Sequence, residues 1–328
     1  MKTILALVAA MLPATTGAAL AATYTTFDPK GSAETVPLAI NNGPSETGYW
    51  IDGNAVAHGF LRAPDGTITT FDPKNSTNTY AYAINDNGWI AGYFDDANGE
   101  HGFLRKPDGT IIVYDAPNSA GVTDLLGIDK KNLSTGDYQD SQGVIHGLTR
   151  SPTGKTKTFD VSGAVATAGV AINPTGYIAG QYLDTSNNFH GLLRTPAGTL
   201  TTFDVSGAVD TKPSGINSKG VISGHYFDGT LKHGFLRASD GTITTFDDPN
   251  GVDGTQARTN NSKNEAVGWY FDANNVQQGF SRTAGGTFRS IAPKGAIGSA
   301  AEDINDNGLI TGAYADKNGV IHGFLRAP

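Results

Sequence analysis

A glycine returns every 44 residues, at Gly48, Gly92, Gly136, Gly180, Gly224, Gly268 and Gly312, and the register never slips. Self-similarity at such a period marks a chain assembled from copies of one supersecondary unit, none of which can bury its apolar face alone. Other positions keep step with the glycine. An aromatic follows two residues later (Trp50, Phe94, Tyr138, Tyr182, Tyr226, Tyr270, Tyr314) and an aspartate four later (Asp52, Asp96, Asp140, Asp184, Asp228, Asp272, Asp316). A hydroxyl precedes it by thirteen (Thr35, Thr79, Thr123, Thr167, Thr211, Thr255, Ser299).

Each unit reads as four short strands. Tyr82-Ala83-Ile84-Asn85 typifies the first, and Asp86-Asn87-Gly88 supplies the positive φ of a tight hairpin. Trp89–Phe94 is the second, His101-Gly102-Phe103-Leu104-Arg105 the third, and Ile68–Asp72 typifies the fourth. Outside the first residues no stretch has helical periodicity. Seven antiparallel four-stranded units predict an all-β fold, a seven-bladed β-propeller. After the leader a lone fourth strand, Thr25–Asp28, comes first, and the last strand before Pro328 is a third strand. The N-terminal strand is therefore expected to complete the C-terminal blade beside Gly323–Arg326, leaving no open edge.

Lys2, the apolar run Ile4–Leu12, the breakers Pro13 and Gly17, and Ala19-Leu20-Ala21 read as a signal peptide over residues 1–22. Residues 23–328 then form one domain that is secreted, to the periplasm or the outside, as a monomer. The apolar run is too short to span a bilayer, and no other stretch reaches that length. The chain has no cysteine, which excludes a disulfide scaffold and thiolate metal sites. Net charge is −8 with no basic block, so nucleic acid and anionic membrane are poor partners.

In antiparallel blades the repeated Thr, Asp, His and a second Asp (Asp28, Asp72, Asp115, Asp160, Asp204, Asp247) fall at one rim; the Arg ending each third strand falls at the other. His beside carboxylate and hydroxyl is the wiring of a general base. A part present in nearly every blade is a blade-building part, however. His58, His101, His146, His190, His233 and His322 with their aspartates are therefore read as a structural network satisfying rim loops. Loops such as Asp95-Asp96-Ala97-Asn98-Gly99 lack the alternating ligands and closing Glu of a calcium site, and the histidines stand in separate blades. No metal or cofactor is implied.

Function is sought where the symmetry breaks. Two before the repeated isoleucine the series runs Leu38, Tyr82, Leu126, Val170, Ser214, Arg258, Glu302. Asn260 replaces the isoleucine of Ile40, Ile84, Ile128, Ile172, Ile216 and Ile304, Asp303 replaces a small residue, and Gln278 replaces a rim histidine. After the glycine the series is Tyr49, Tyr93, Asp137, Gln181, His225, Trp269, Ala313. Because first strands line a propeller's channel, His225, Arg258, Asn260, Trp269, Gln278, Glu302 and Asp303 are the candidate ligand-binding residues; a plain Arg258–Glu302 salt bridge between blades is the structural alternative.

The recurring His-Gly-Phe-Leu-Arg, Asp-Gly-Thr, Phe-Asp and Ile-Asn-x-x-Gly elements resemble the HAF family of extracellular repeat proteins, whose usual motif has Ala at the position of Gly59 and Gly102. The resemblance spans residues 23–328. It implies an exported repeat protein without an established common activity, and brings no catalytic residues. Three functions remain open: a binding module for a glycan, peptide or protein; a lyase or hydrolase acting on extracellular polysaccharide through His225, Tyr226, Arg258 and Glu302 or Asp303; and a structural envelope or matrix protein.

Overall fold

The computed structural model describes residues 22–328; the signal-peptide reading of residues 1–22 falls almost wholly outside them. Among the described residues there are strands, turns and no helix. The strand pattern repeats with the sequence. Asn78–Ile84, Ile90–Asp96, Gly99–Arg105 and Ile111–Tyr114 pair in order, each antiparallel to the next. The N-terminal strand Thr23–Phe27 lies antiparallel to Ile321–Ala327, with Thr26 opposite Phe324. That last strand also meets Ser32–Ile40 through Glu34 opposite Ile321.

The periodic glycine has a steric cause. A Cβ on Gly92 would run into the backbone oxygen of Tyr80, and one on Gly136 into that of Asp124. Each glycine sits beside a β-bulge in the first strand, at Ala81/Ala83 and Leu125/Gly127 in these two units. The bulged residue is always the one at the symmetry-breaking position, from Leu38 to Glu302. A bulge frees a residue from the ladder and re-aims its side chain, so the unit that demands glycine also turns one variable side chain out of register.

Behind the glycine lies the core. Phe60, Phe103, Leu148, Leu192, Phe235, Phe280 and Phe324 occupy the middle of the third strands and are fully buried. Fourth-strand rings meet them edge-on across the unit boundary, Phe71 on Phe103 at 6.0 Å and Phe27 on Phe60 at 6.0 Å. The repeated arginines seal the same boundary. Their guanidinium groups cap the preceding unit's fourth-strand ring, Arg105 over Phe71 at 4.9 Å and Arg194 over Phe159 at 5.2 Å. Arg62 also finds a carboxylate, Glu46 at 2.6 Å.

Candidate ligand site on the axial face

The repeated rim network is closed upon itself. His101 Nδ1 lies 2.6 Å from Asp115 and its Nε2 3.1 Å from Asp96. His146, His190 and His233 repeat this with Asp160 and Asp140, Asp204 and Asp184, and Asp247 and Asp228, at 3.0–3.2 Å. His58 Nδ1 meets Asp72 at 2.8 Å and His322 Nδ1 meets Asp28 at 2.7 Å, with Asp52 and Asp316 at 3.8 Å from Nε2. The second-strand aspartates also accept loop N–H groups: Asp140 Oδ1 takes those of Gln142 and Val144 at 2.8 and 2.9 Å. Burial works against imidazolium here, but the paired aspartates outweigh it and hold His101, His146, His190 and His233 above the ordinary pKa. Thr35 is fully buried and donates to Asp28 at 2.7 Å, so its hydroxyl is committed to the network.

Gln278, named as a candidate ligand residue, sits at the rim-network position. Its Nε2 donates to Asp272 Oδ2 at 3.1 Å, replacing one half of what a histidine does, in the unit that also lacks the fourth-strand aspartate.

At the tight-turn end a chain of asparagines does the joining. Asn41 Nδ2 donates to Asn85 O, Asn85 to Asp129 O, Asn173 to Asn217 O, Asn217 to Asn261 O, Asn261 to Asn305 O and Asn305 to Asn41 O, at 2.8–3.2 Å. The Oδ1 of each holds its own hairpin, as Asn85 does by accepting from Asn87 and Trp89 at 3.0 Å. Asp129 has no amide donor, and the chain skips one step there. The sequence shows these asparagines in the Ile-Asn-x-x-Gly motif, but their reach across units shows only in three dimensions.

Between the two ends lies an axial cavity of about 230 Å³, lined by Leu38, Tyr82, Leu126, Val170, Ser214 and Arg258, with Asn260 and Asp303. The isoleucines and Asn260 separate it from a second cavity of about 170 Å³ within the asparagine end. Arg258, Asn260 and Asp303, picked from the sequence, thus meet in one space, with Glu302 held on Arg258 Nε at 3.2 Å. Burial raises the Glu302 carboxyl and Arg258 opposes it; burial also raises Asp303, which accepts from Ile40 N, Thr259 Oγ1 and Ile304 N at 2.8–2.9 Å. The ion pair named as the structural alternative is therefore present, and it uses only part of the guanidinium.

Toward the histidine rim the axial face widens into first- and second-strand pairs that differ in every unit. They are Val36 with Tyr49, Tyr80 with Tyr93, Asp124 with Asp137, Ala168 with Gln181, Lys212 with His225, Gln256 with Trp269 and Ala300 with Ala313. Burial and the cations Lys232, Lys212 and Arg258 push His225 down to about 4, so it is neutral at pH 7. Tyr226 points the other way and stacks on His233 at 4.9 Å, so the set His225, Tyr226, Arg258 and Glu302 is not brought together.

Two groups on this face escaped the sequence reading. Tyr49, Tyr80, Tyr82 and Tyr93 form a continuous aromatic wall, with centroids 5.1–5.8 Å apart. Beside Tyr93, Asp124 and Asp137 face each other across the strands near Glu100; burial, with the charges of Asp137 and Glu100, pushes Asp124 up to about 9, and burial, with the charge of Glu100, pushes Asp137 up to about 7. The signal was the series two residues before the bulge, Val36, Tyr80, Asp124, Ala168, Lys212, Gln256, Ala300, read against its second-strand partners. No group of three or more metal-type ligands occurs among the described residues.

No family model matches the chain, and no curated protein does. Solved structures do. A streptogramin B lyase is 14% identical with a TM-score of 0.59, covering 93% of this chain and 97% of its own. A catalytically inactive virginiamycin B lyase from Staphylococcus aureus, solved with quinupristin, is 14% identical with a TM-score of 0.61 and covers 94% and 100%. TolB from Acinetobacter baumannii is 9% identical with a TM-score of 0.50 and covers 83% and 76%. At these identities the likeness shows architecture: the chain has the β-propeller fold.

Proposed function

We propose that this chain is an exported binding module, a seven-bladed ring closed by its N-terminal strand, whose ligand docks on the axial face at the histidine rim. One observation carries the reading. The rim network repeats and satisfies itself, whereas the axial pairs differ in all seven units and gather an aromatic wall, a carboxylate pair and the cationic arc of Lys212, Lys232 and Arg258 on one face. Such a face offers stacking surface with oppositely charged flanks that orient a ligand. The pairing of Thr23–Phe27 with Ile321–Ala327 and the Asn305-to-Asn41 bond support a closed ring. The leader-like start supports export, and the repeat motifs support kinship with HAF proteins. Glycans and peptides are the ligand classes that fit.

Glycan and peptide arrays probed with residues 23–328 test the reading. We expect binding that Lys212→Glu abolishes and that the rim variant His101→Gln retains. Silence on both arrays sinks it.

A further inference from the structure

Of the arginines that end the third strands, Arg62, Arg105, Arg150, Arg194 and Arg237 are buried, 6–8% exposed. Arg282 and Arg326 are only half-buried, and both line one cleft of about 520 Å³ at the tight-turn end, between the sixth unit (residues 255–291) and the seventh (residues 298–327). Side-chain substitutions open it. Leu61 and Leu193 pack into the clusters of Ile90 and Ile222 in the following unit, whereas Ser281 stands at their position and leaves the space before Ile310 unfilled. Glu265 takes the place of Trp89, Leu133, Tyr177, Val221 and Leu309, and Arg289 that of Thr69, Thr201 and Thr244.

Arg326 is the copy with nothing to hold. The six other guanidinium groups cap an aromatic ring of the preceding unit, but the ring position before Arg326 is Ile291. Five of the six donate to the carbonyl of the next residue, and Arg62 donates to Glu46. No hairpin follows Arg326, because its fourth strand comes from the N-terminus and sets Tyr24 opposite it. Its Nε is sealed as in every copy, while both Nη groups keep solvent surface and make no hydrogen bond or ion pair among the described residues.

The charges around it select a ligand. Arg289 and Lys263 also line the cleft, exposed and without an ion pair among the described residues. Against these four cations stands one lining carboxylate, Glu265, which accepts from Asn261 Nδ2 at 2.7 Å and pairs with none of them. Counting a carboxylate at Pro328 as well, cations lead four to two. Asp306, next to the lining Asn307, accepts from Ser262 N at 2.8 Å and borders the asparagine-end cavity. An entering cation therefore meets a net like charge, and a neutral group leaves the Arg326 fork without a counter-charge. The fork matches the paired oxygens of a carboxylate, sulfate or phosphate. At ~30 Å³ per water the cleft holds roughly seventeen waters, so the oxyanion enters with a ring-sized body behind it.

We propose that this cleft is a second ligand site, at the opposite end from the histidine rim, for the oxyanion of a ring-sized ligand such as an acidic sugar. The Arg326 Nη groups donate to the oxyanion, Arg282, Arg289 and Lys263 supply the surrounding positive field, and the ring fills the space that Ser281 leaves.

Titration calorimetry on residues 23–328 at low ionic strength tests this with galacturonate, glucose 6-phosphate, inorganic phosphate, glucose and glucosamine. One of the two acidic sugars binds more tightly than the other probes, and which one tells carboxylate from phosphate recognition. Arg326→Gln and Arg289→Thr each weaken that binding about tenfold, and Glu265→Gln tightens it. Arg289 is exposed and unpaired, so its variant serves if Arg326→Gln does not fold. Glucose or glucosamine binding as tightly as the acidic sugars overturns the anion assignment. Inorganic phosphate matching the better acidic sugar overturns the ring-sized occupant. Unchanged affinity in both arginine variants, or silence with every probe, overturns the site. The axial reading stands or falls separately, because array binding that Lys212→Glu abolishes survives Arg326→Gln.

Discussion

The histidine rim and the axial face are built on the same strands, yet they obey opposite rules. At the rim each polar group finds its partner within its own unit or the strand that completes it, and the arrangement recurs until Gln278 interrupts it. On the axial face the bulged residue of each unit is turned out of the ladder, and no two neighbouring units agree on what it carries. Repetition there is confined to backbone geometry and variation to side chains. The lesson is one of division: parts under the same steric demand in every unit hold the fold, and parts released from that demand are free to specialise.

The strongest way to break this division is to attack the repeated element from the inside. Gly136→Ala places a methyl against the backbone oxygen of Asp124, a contact that only a shift of the bulge relieves. We expect a loss of about 4 kcal/mol or more, read as a collapse of the denaturation midpoint. A mild effect would mean that the glycine is not what sets the bulge.

Next in size is a change that should stabilise. In the unfolded chain Asp137 ionises near 3.8, whereas in the fold burial and the neighbouring Glu100 carboxylate hold its proton up to about 7. The folded state therefore binds more protons over this interval, and stability falls as pH rises from about 4 through 7. Asp137→Asn removes that loss. At pH 8.5 it should be more stable than wild type by on the order of 2 kcal/mol, and below pH 4 the two should converge. Equal melting at pH 8.5 would show that a cation or donor already answers the carboxylate pair.

The same asymmetry explains what could be read from the chain alone. A steric rule that acts seven times leaves a period in the sequence, so Gly92 and its copies disclose the strands, and the Asp and His positions disclose a shared rim. A site built once leaves no period. Arg258, Asn260 and Glu302 were visible because they interrupt a series of apolar residues, but Asp124 and Asp137 lie in series with no consensus to interrupt. Their meeting depends on which residue faces which across a bulged pair, and a bulge shifts that register by one. Gln278 is ambiguous for a related reason: an interruption looks the same in sequence whether it abandons a network or substitutes within it, and its bond to Asp272 shows up only in the fold.

A smaller effect concerns the rim itself. Because the folded-state pKa values of His101, His146, His190 and His233 stand above the ordinary 6.5, their contribution is fully present below pH 6.5 and fades as pH climbs through the folded values. His101→Gln, which copies the arrangement at Gln278, should therefore cost about 1 kcal/mol at pH 5.5 and only a few tenths at pH 8.5, as expected for partly exposed pairs. The pH trend runs in the same sense as that of Asp137, so the two are separated by the variants and not by the wild-type curve. In His101→Gln the acid-side advantage shrinks while the alkaline instability stays; in Asp137→Asn the reverse holds. If both variants flatten the same part of the curve, rim and axial face are energetically one system, and the division drawn between them fails.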